Sequence, residues 1–116
     1  LRTDLKDEAG FCGLFKTPTL RNVATRKVFF HNGVFHTLED SVRFYADRDA
    51  HPARYYGKGG KPNDLPARYA DNINREAPFE SQRKGQPSLS DAEIRDVVAF
   101  LKTLTDRDAK VAASGR

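Results

Sequence analysis

The stretch FKTPTLRNVATRKVFFHNGVFHTLEDSVRFY, residues 15–45, decides how this chain folds. Two of its segments have the form of helix starts: Pro18 follows a threonine, and Thr37 precedes a leucine and two acids. Proline is tolerated at the first helical position, and threonine is a common N-cap. We therefore predict a short helix over residues 18–23 and a longer helix that begins after Thr37.

A turn separates these two helices at the sequence HNG, residues 31–33. Asn-Gly is a strong turn signal, and apolar residues flank it on both sides. The pattern permits a β-hairpin, although its arms are short and alternate poorly between apolar and polar residues. After the turn, Leu38, Val42 and Tyr45 recur at helical spacing, which places them on one face of the second helix.

The clearest helix signal lies between residues 89 and 105. Ser90 and Glu93 form a capping-box pattern, in which each side chain bonds the backbone N–H of the other residue. An apolar stripe at helical spacing follows, and its members are Ile94, Val97, Val98, Leu101 and Leu104. We predict a leading loop over 1–14, a frayed tail over 106–116 and a long Pro- and Gly-rich loop over 47–88, with a short helix near residues 66–72.

The composition limits what the chain can be. Its 116 residues suit one domain, but only 38% are hydrophobic and 31% are charged, and the mean hydropathy is -0.70. A core this thin implies that loops carry the polarity, or that a cofactor or a further segment completes the interior. The net charge of +4 is spread among acids rather than clustered, which argues against a nucleic-acid partner.

Few residues suggest chemistry by type and spacing alone. Cys12 is the one cysteine, which leaves no internal disulfide and no CxxC motif, and we interpret it as a buried structural residue. The three histidines lack zinc spacing. No run of 18 apolar residues exists, so we predict no membrane span. Composition and spacing indicate a helical, loop-rich domain, in which Tyr45 is a core or rim aromatic.

Four segments taken together resemble the C-terminal part of the bacterial di-haem cytochrome c peroxidase/MauG family. They are FKTPTLRNVA at 15–24, FHNG at 30–33, TLED at 37–40 and DVVAFLKTL at 96–104. Their order and spacing match over about half of the chain, and DLP at 64–66 fits more loosely. The resemblance implies an all-α, cytochrome c-like domain, of which residues 1–116 form the C-terminal portion.

The resemblance also implies two haem c groups in the intact protein. The chain contains no CxxCH haem-attachment motif, and we expect those motifs to precede Leu1. The family takes its second axial ligand fourteen residues after the turn histidine, which is Tyr45 counted from His31. Methionine occupies this position in the peroxidase branch and tyrosine in the MauG branch. The chain has no methionine, so Tyr45 is our candidate ligand to haem iron.

Other residues take roles from the same resemblance. Lys16, Arg21 and His31 would contact haem propionates or the surface between the haems; ordinary surface charge and a hydrogen-bonded turn histidine remain equal alternatives. Calcium lies between the haems in the family, and the backbone carbonyls of Arg26 and Val28 match two of its ligands. Calcium requires several oxygen ligands, so the others would come from outside this chain.

The function implied is that of a di-haem oxidoreductase that uses hydrogen peroxide, either a cytochrome c peroxidase or a MauG-like oxidase. The remainder of the same protein, hydrogen peroxide, and an electron donor or protein substrate would be its partners. Covalent haem attachment implies a periplasmic location, and the fragment alone is expected to be inactive. Two alternatives stay open: an electron-transfer cytochrome c domain without peroxide chemistry, and a haem-free interaction module.

Overall fold

The computed structural model describes residues 4, 7–62, 65–82 and 85–106. The predicted frayed tail, apart from Asp106, lies outside the described residues, as do parts of the leading loop and of DLP at 64–66. Three α-helices are present: α1 (Leu38–Asp47), α2 (Pro52–Tyr56) and α3 (Asp91–Thr103). Short 3-10 helices cover Ala9–Phe11, Val23–Thr25, Gly57–Gly59 and Ala67–Asn72. The described part contains no β-strand, so the prediction of an all-α, loop-rich fold is confirmed.

Helix α1 begins where its sequence predicts. The Thr37 hydroxyl oxygen accepts a hydrogen bond from the backbone N–H of Asp40 at 3.0 Å, which satisfies one of the free amides of the first turn. Glu39 and Asp40 lie in that turn, where the helix dipole stabilises negative charge. Leu38 and Val42 pack against the core, so the predicted helical face is confirmed for these two residues.

Helix α3 has both halves of the predicted capping box. The Ser90 hydroxyl accepts from the backbone N–H of Glu93 at 3.3 Å, and the Glu93 carboxylate accepts from the backbone N–H of Ser90 at 2.8 Å. The bond from the Ser90 backbone, followed by one that the Ser90 hydroxyl donates to the same carboxylate at 2.8 Å, lowers the pKa of Glu93. The apolar stripe faces inward, with Ile94, Val98 and Leu101 buried.

The small core lies between α1, α3 and the segment that precedes α1. Val23, Phe29 and Leu101 form its buried cluster. Half-buried side chains pack against that cluster: Phe35, Leu38, Val42, Val97 and Leu104. The core thereby joins the first quarter of the described chain to its last helix, and Leu38 and Val42 of α1 pack against it.

The predicted helix over residues 18–23 is wrong. Pro18 lies in irregular backbone, and a 3-10 turn forms only at Val23–Thr25. Asn22 has a left-handed backbone with φ of 59°, which a right-handed helix cannot contain. Its N–H donates to the Leu104 carbonyl at 2.9 Å, so a long-range contact replaces the local helix bond.

The permitted hairpin is reduced to a single antiparallel bridge between Phe29 and Phe35. The turn itself forms: the N–H of Gly33 donates to the Phe30 carbonyl at 3.3 Å, and Phe30 has φ of 63°. Within the predicted long loop, α2 is an element that the sequence did not predict, whereas the helix expected near residues 66–72 is present as the 3-10 helix Ala67–Asn72.

Candidate functional site

Tyr45 lies on the last turn of α1 and is 47% exposed. Its ring contacts those of Phe30 at 5.7 Å, Phe44 at 5.9 Å and Phe79 at 5.8 Å between centroids. These aromatic neighbours restrict the ring, while no hydrogen bond involves its hydroxyl within the described part of the chain. The phenol oxygen is therefore held by its ring and remains available to a ligand or a metal.

The backbone of Tyr45 is held from the other side by Gln82. The Gln82 side-chain amide donates to the Tyr45 carbonyl at 2.6 Å, and its amide oxygen accepts from the backbone N–H of Asp49 at 2.8 Å. Gln82 is buried, with 9% of its surface exposed. A side chain distant in sequence thus bonds the last turn of the helix that carries Tyr45.

Arg48 strengthens the same contact. Its guanidinium lies 3.5 Å from the centroid of the Phe79 ring, donates to the Asn74 carbonyl at 2.6 Å and pairs with Asp49 at 2.6 Å. The Arg48 side chain is only 6% exposed, and a buried guanidinium requires such partners. The segment 74–82 is therefore fastened to the end of α1 by charge, hydrogen bonds and aromatic contact.

The residues predicted to contact haem propionates occupy different surroundings. His31 stacks on Phe15, with centroids 4.3 Å apart and planes 17° from parallel. Arg21 pairs with Asp106 at 2.8 Å and its side chain is 73% exposed. Lys16 is exposed. Stacking on the exposed Phe15 ring is therefore a third role for His31, beside contact with haem and a hydrogen bond within the turn, and the sequence did not suggest it.

The carbonyls of Arg26 and Val28 accept no hydrogen bond from any described residue. Both residues are exposed. The described residues contain no group of three or more His, Cys, Asp or Glu side chains that could hold a metal ion. The calcium ligands assigned to this chain therefore remain those two carbonyls, as a prediction.

The chemistry of these residues fits a haem. A phenol oxygen is an established axial ligand type, and the Tyr45 oxygen has no partner in the described structure. Large apolar side chains are also exposed: Phe11, Leu14, Phe15, Leu20, Val28, Val34, Tyr45 and Phe100. Exposed apolar side chains mark a contact surface only where they form one contiguous patch.

A cavity of about 430 Å³ is lined by charged residues of α1 and α2 and by apolar residues such as Leu89 and Ile94, but not by Tyr45. Asp47 lines it, with a side chain only 3% exposed. The Asp47 carboxylate contacts the imidazole of His51 and accepts from Arg54 at 2.6 Å and from the Tyr55 hydroxyl at 3.1 Å. Burial, followed by the charge of Asp47, raises the pKa of Tyr55 to about 12. This cluster joins α1 to α2.

The sequence did not reveal Phe79, Gln82, Arg48 or Asp47 as neighbours of the site. Phe79 and Gln82 lie in a segment without helical or strand periodicity, 34 and 37 residues after Tyr45. The one usable signal was the position of Tyr45 and Asp47 on either side of Ala46. A helical wheel places two such residues on different faces of the helix, so each must have its own set of neighbours. None of the described helices is long and apolar enough to cross a membrane.

The all-α, loop-rich fold is of the cytochrome c-like class. The comparisons agree with this class. The chain is 35% identical over 97 residues to the methylamine utilization protein MauG of Paracoccus denitrificans, a match that covers 82% of this chain and 24% of MauG. No protein-family model matches the chain.

Two solved structures of the di-haem peroxidase BthA from Burkholderia thailandensis are also similar. The wild-type protein is 47% identical, with a TM-score of 0.73, over 78% of this chain and 22% of that chain. A tyrosine-to-methionine variant is 42% identical, with a TM-score of 0.83, over 89% of this chain and 25% of that chain. The chain belongs to the MauG/di-haem peroxidase family and spans about a quarter of the length of these relatives.

Proposed function

We propose that this chain is the part of a peroxide-using di-haem oxidoreductase that supplies Tyr45 as an axial ligand to one haem iron. The observation that carries the proposal is the phenol oxygen of Tyr45. Its ring is restricted by Phe30, Phe44 and Phe79, yet its oxygen makes no hydrogen bond to the described residues. The membership of the chain in a family of di-haem peroxidases supports a haem as the partner of that oxygen.

Haem c would supply the redox chemistry, and the residues of this chain would control its surroundings. A phenolate is a hard, anionic oxygen donor, which stabilises ferric iron and lowers its reduction potential relative to a methionine ligand. The three phenylalanines around Tyr45 would exclude water from the ligand side. Lys16 and Arg21 would offer positive charge to propionates, and Arg21 would do so while it is paired with Asp106.

One of the solved relatives is a tyrosine-to-methionine variant of BthA. Its structure is similar to this chain with a TM-score of 0.83, so a di-haem peroxidase tolerates this exchange at some position without loss of the fold. Tyr45→Met is therefore a suitable substitution with which to test the ligand. It retains a side chain that can bind iron but changes the donor atom from oxygen to sulfur.

The remaining parts of the proposal depend on the same family membership. Two covalent haems would be attached outside this chain, and calcium between them would use the carbonyls of Arg26 and Val28. The protein would act in the periplasm, where covalent haem attachment takes place. Hydrogen peroxide would be the oxidant, and an electron donor or a protein substrate would be the second reactant.

The experiment uses the intact, haem-loaded protein that contains this chain. Its mass should show two covalent haems, and addition of hydrogen peroxide should change the Soret absorption. Tyr45→Met should raise the reduction potential of one haem, and Tyr45→Phe should remove one axial ligand from the ferric spectrum. Tyr69→Phe is the matched control, because it removes a phenol from the 3-10 helix Ala67–Asn72, and it should change neither property.

The outcomes separate the competing functions. Haem that does not respond to peroxide would favour an electron-transfer cytochrome, and a protein without a Soret band would favour a haem-free interaction module. A haem spectrum that is identical in the wild type and in Tyr45→Phe would refute the ligand assignment alone.

A further inference from the structure

The end of helix α1 departs from regular helical bonding at the residue proposed as the ligand. In a continuing helix, the Tyr45 carbonyl would accept from the N–H of Asp49, four residues later. That bond is absent between these described residues, although the equivalent bond from Arg48 to the Phe44 carbonyl is present at 3.0 Å. The bond from the Ala50 N–H to the Ala46 carbonyl is absent as well, and that carbonyl accepts from the Ser88 N–H at 2.8 Å instead. The interruption therefore affects Tyr45 and Ala46, whereas the turn before them is regular.

The Gln82 side chain occupies the place of the missing bond. Its amide nitrogen donates to the Tyr45 carbonyl at 2.6 Å, and its amide oxygen accepts from the N–H groups of Asp49 at 2.8 Å and Ala50 at 3.4 Å. A carboxamide can do this because it carries a donor and an acceptor side by side. The buried backbone groups thus stay satisfied, which they must be to avoid a large desolvation cost.

The same segment also restricts the Tyr45 ring. Phe79, three residues before Gln82, is 4% exposed, and its ring lies 5.8 Å from that of Tyr45 at an interplanar angle of 31°. The backbone N–H of Gln82 donates to the Phe79 carbonyl at 3.0 Å, so one turn contains both contacts. Backbone and ring of Tyr45 are therefore held by a single structural unit.

We propose that Gln82 is a positioning residue for Tyr45. It sets the direction in which the phenol oxygen leaves the end of α1, by holding the Tyr45 carbonyl away from its normal helical partner. This inference rests on the proposed function, since it concerns the ligand of that same haem. It adds that the geometry of the ligand is set by a glutamine 37 residues away in sequence.

The test compares two variants of the intact, haem-loaded protein. Gln82→Glu retains the length of the side chain and the acceptor for Asp49, but it removes the donor to the Tyr45 carbonyl. Ser88→Ala is the matched control: the Ser88 hydroxyl donates to the neighbouring Ala46 carbonyl at 3.2 Å, and the backbone bond from Ser88 to the same carbonyl, at 2.8 Å, remains. Both substitutions remove one bond to the end of α1.

The readouts are the iron–phenolate bands in the resonance Raman spectrum, the ferric electron paramagnetic resonance signal and the reduction potential of the tyrosine-ligated haem. We expect Gln82→Glu to lose part of the phenolate signal and to shift the potential, and Ser88→Ala to keep both at the wild-type value. Gln82→Met retains the side-chain volume but makes neither hydrogen bond. Its phenolate signal and potential should change as in Gln82→Glu, which would show that the added negative charge of glutamate does not cause the change.

An unchanged phenolate signal in Gln82→Glu and Gln82→Met would overturn the inference, and so would an equal change in Ser88→Ala. Failure of the proposed function would look different, because Tyr45→Phe would then have no effect on the spectrum of otherwise intact protein.

Discussion

Asn22 and Asp106 exchange two hydrogen bonds across 84 residues of sequence. The backbone N–H of Asp106 donates to the Asn22 side-chain oxygen at 2.7 Å, and the Asn22 side-chain nitrogen donates to the Asp106 carboxylate at 2.9 Å. The bond from Asn22, followed by that from Arg21, lowers the pKa of Asp106. The residue whose left-handed backbone rules out the predicted first helix is therefore the one that bonds the chain after α3.

The left-handed backbone of Asn22 predicts a difference between two substitutions. Asn22→Gly and Asn22→Ala both remove the bonds to Asp106, but only alanine places a Cβ atom on a residue with φ of 59°. We expect Asn22→Ala to lower the free energy of unfolding by about 1 kcal/mol more than Asn22→Gly does. Urea unfolding of the two variants in the intact protein measures this difference, and equal losses would contradict it.

The buried carboxylate of Asp47 predicts a large loss of stability in Asp47→Asn. An amide cannot accept from Arg54, His51 and Tyr55 as the carboxylate does, and a side chain 3% exposed cannot be rescued by water. We expect a loss on the order of 2 kcal/mol in the free energy of unfolding. The loss is not larger because Arg54 is half exposed and stays hydrated when its partner is removed. Thermal unfolding of the intact protein provides the measurement.

Asp91→Asn is the control for that prediction. Asp91 also pairs with an arginine, Arg43, but Arg43 retains Glu39 at 2.9 Å as a second partner. The pairing with Arg43 lowers the pKa of Asp91. Asp91 is nevertheless exposed, so water can solvate Arg43 when the carboxylate is removed. Asp91→Asn should therefore cost much less than Asp47→Asn, and comparable losses would show that burial of the carboxylate is unimportant.

The Tyr55 hydroxyl predicts a loss of stability at alkaline pH. Its pKa is raised from 10.0 to about 12 in the folded chain, so the unfolded chain releases this proton first. Folding gains stability from Tyr55 below pH 10, and that contribution is lost as the pH rises from about 10 to 12. Denaturant unfolding at a series of pH values should show a steeper decline for the wild type than for Tyr55→Phe.

Asp47→Asn offers a check on the cause of the shift. The charge of Asp47 is the second contribution after burial, so its removal should lower the pKa of Tyr55, measured by ultraviolet absorbance titration of tyrosine. A Tyr55 pKa that stays unchanged in this variant would assign the whole shift to burial.

The capping box of α3 predicts a moderate cost for Ser90→Ala. The substitution removes the acceptor for the Glu93 N–H, which leaves one more amide of the first turn without a protein partner. We expect a loss of about 1 kcal/mol in the free energy of unfolding. Ser90→Asp should restore most of that loss, since aspartate is an equally good N-cap, and a failure to do so would point to a contact other than the cap.

Helices α1 and α3 were predictable because their signals are local. Thr37 and Ser90 each bond an amide three residues away, and the inward faces repeat within one or two turns. Such interactions depend on neighbours in sequence, so residue type and spacing are sufficient to identify them. The family resemblance likewise depended on four short segments and indicated Tyr45 as the candidate ligand.

The sequence could not identify the residues that restrain Tyr45. Gln82 lies in an irregular segment, and a glutamine there has no pattern that distinguishes it from a solvated side chain. Helix α2 was missed because five residues, Pro52–Tyr56, are too few for a periodic signal. The cluster that holds α2 also depends on Asp47 of the preceding helix, which contacts Arg54 and Tyr55.

The sequence by itself determined the helical class, the two capped helices and the tyrosine at the end of α1, since each is encoded within a few residues. Only the tertiary structure decided that Asn22 would leave the helical conformation to bond Leu104 and Asp106, and that Gln82 would replace a helix bond at Tyr45. The physical reason is the same in both cases. Buried backbone groups must find partners, and here those partners lie far away along the chain, where no local pattern specifies them.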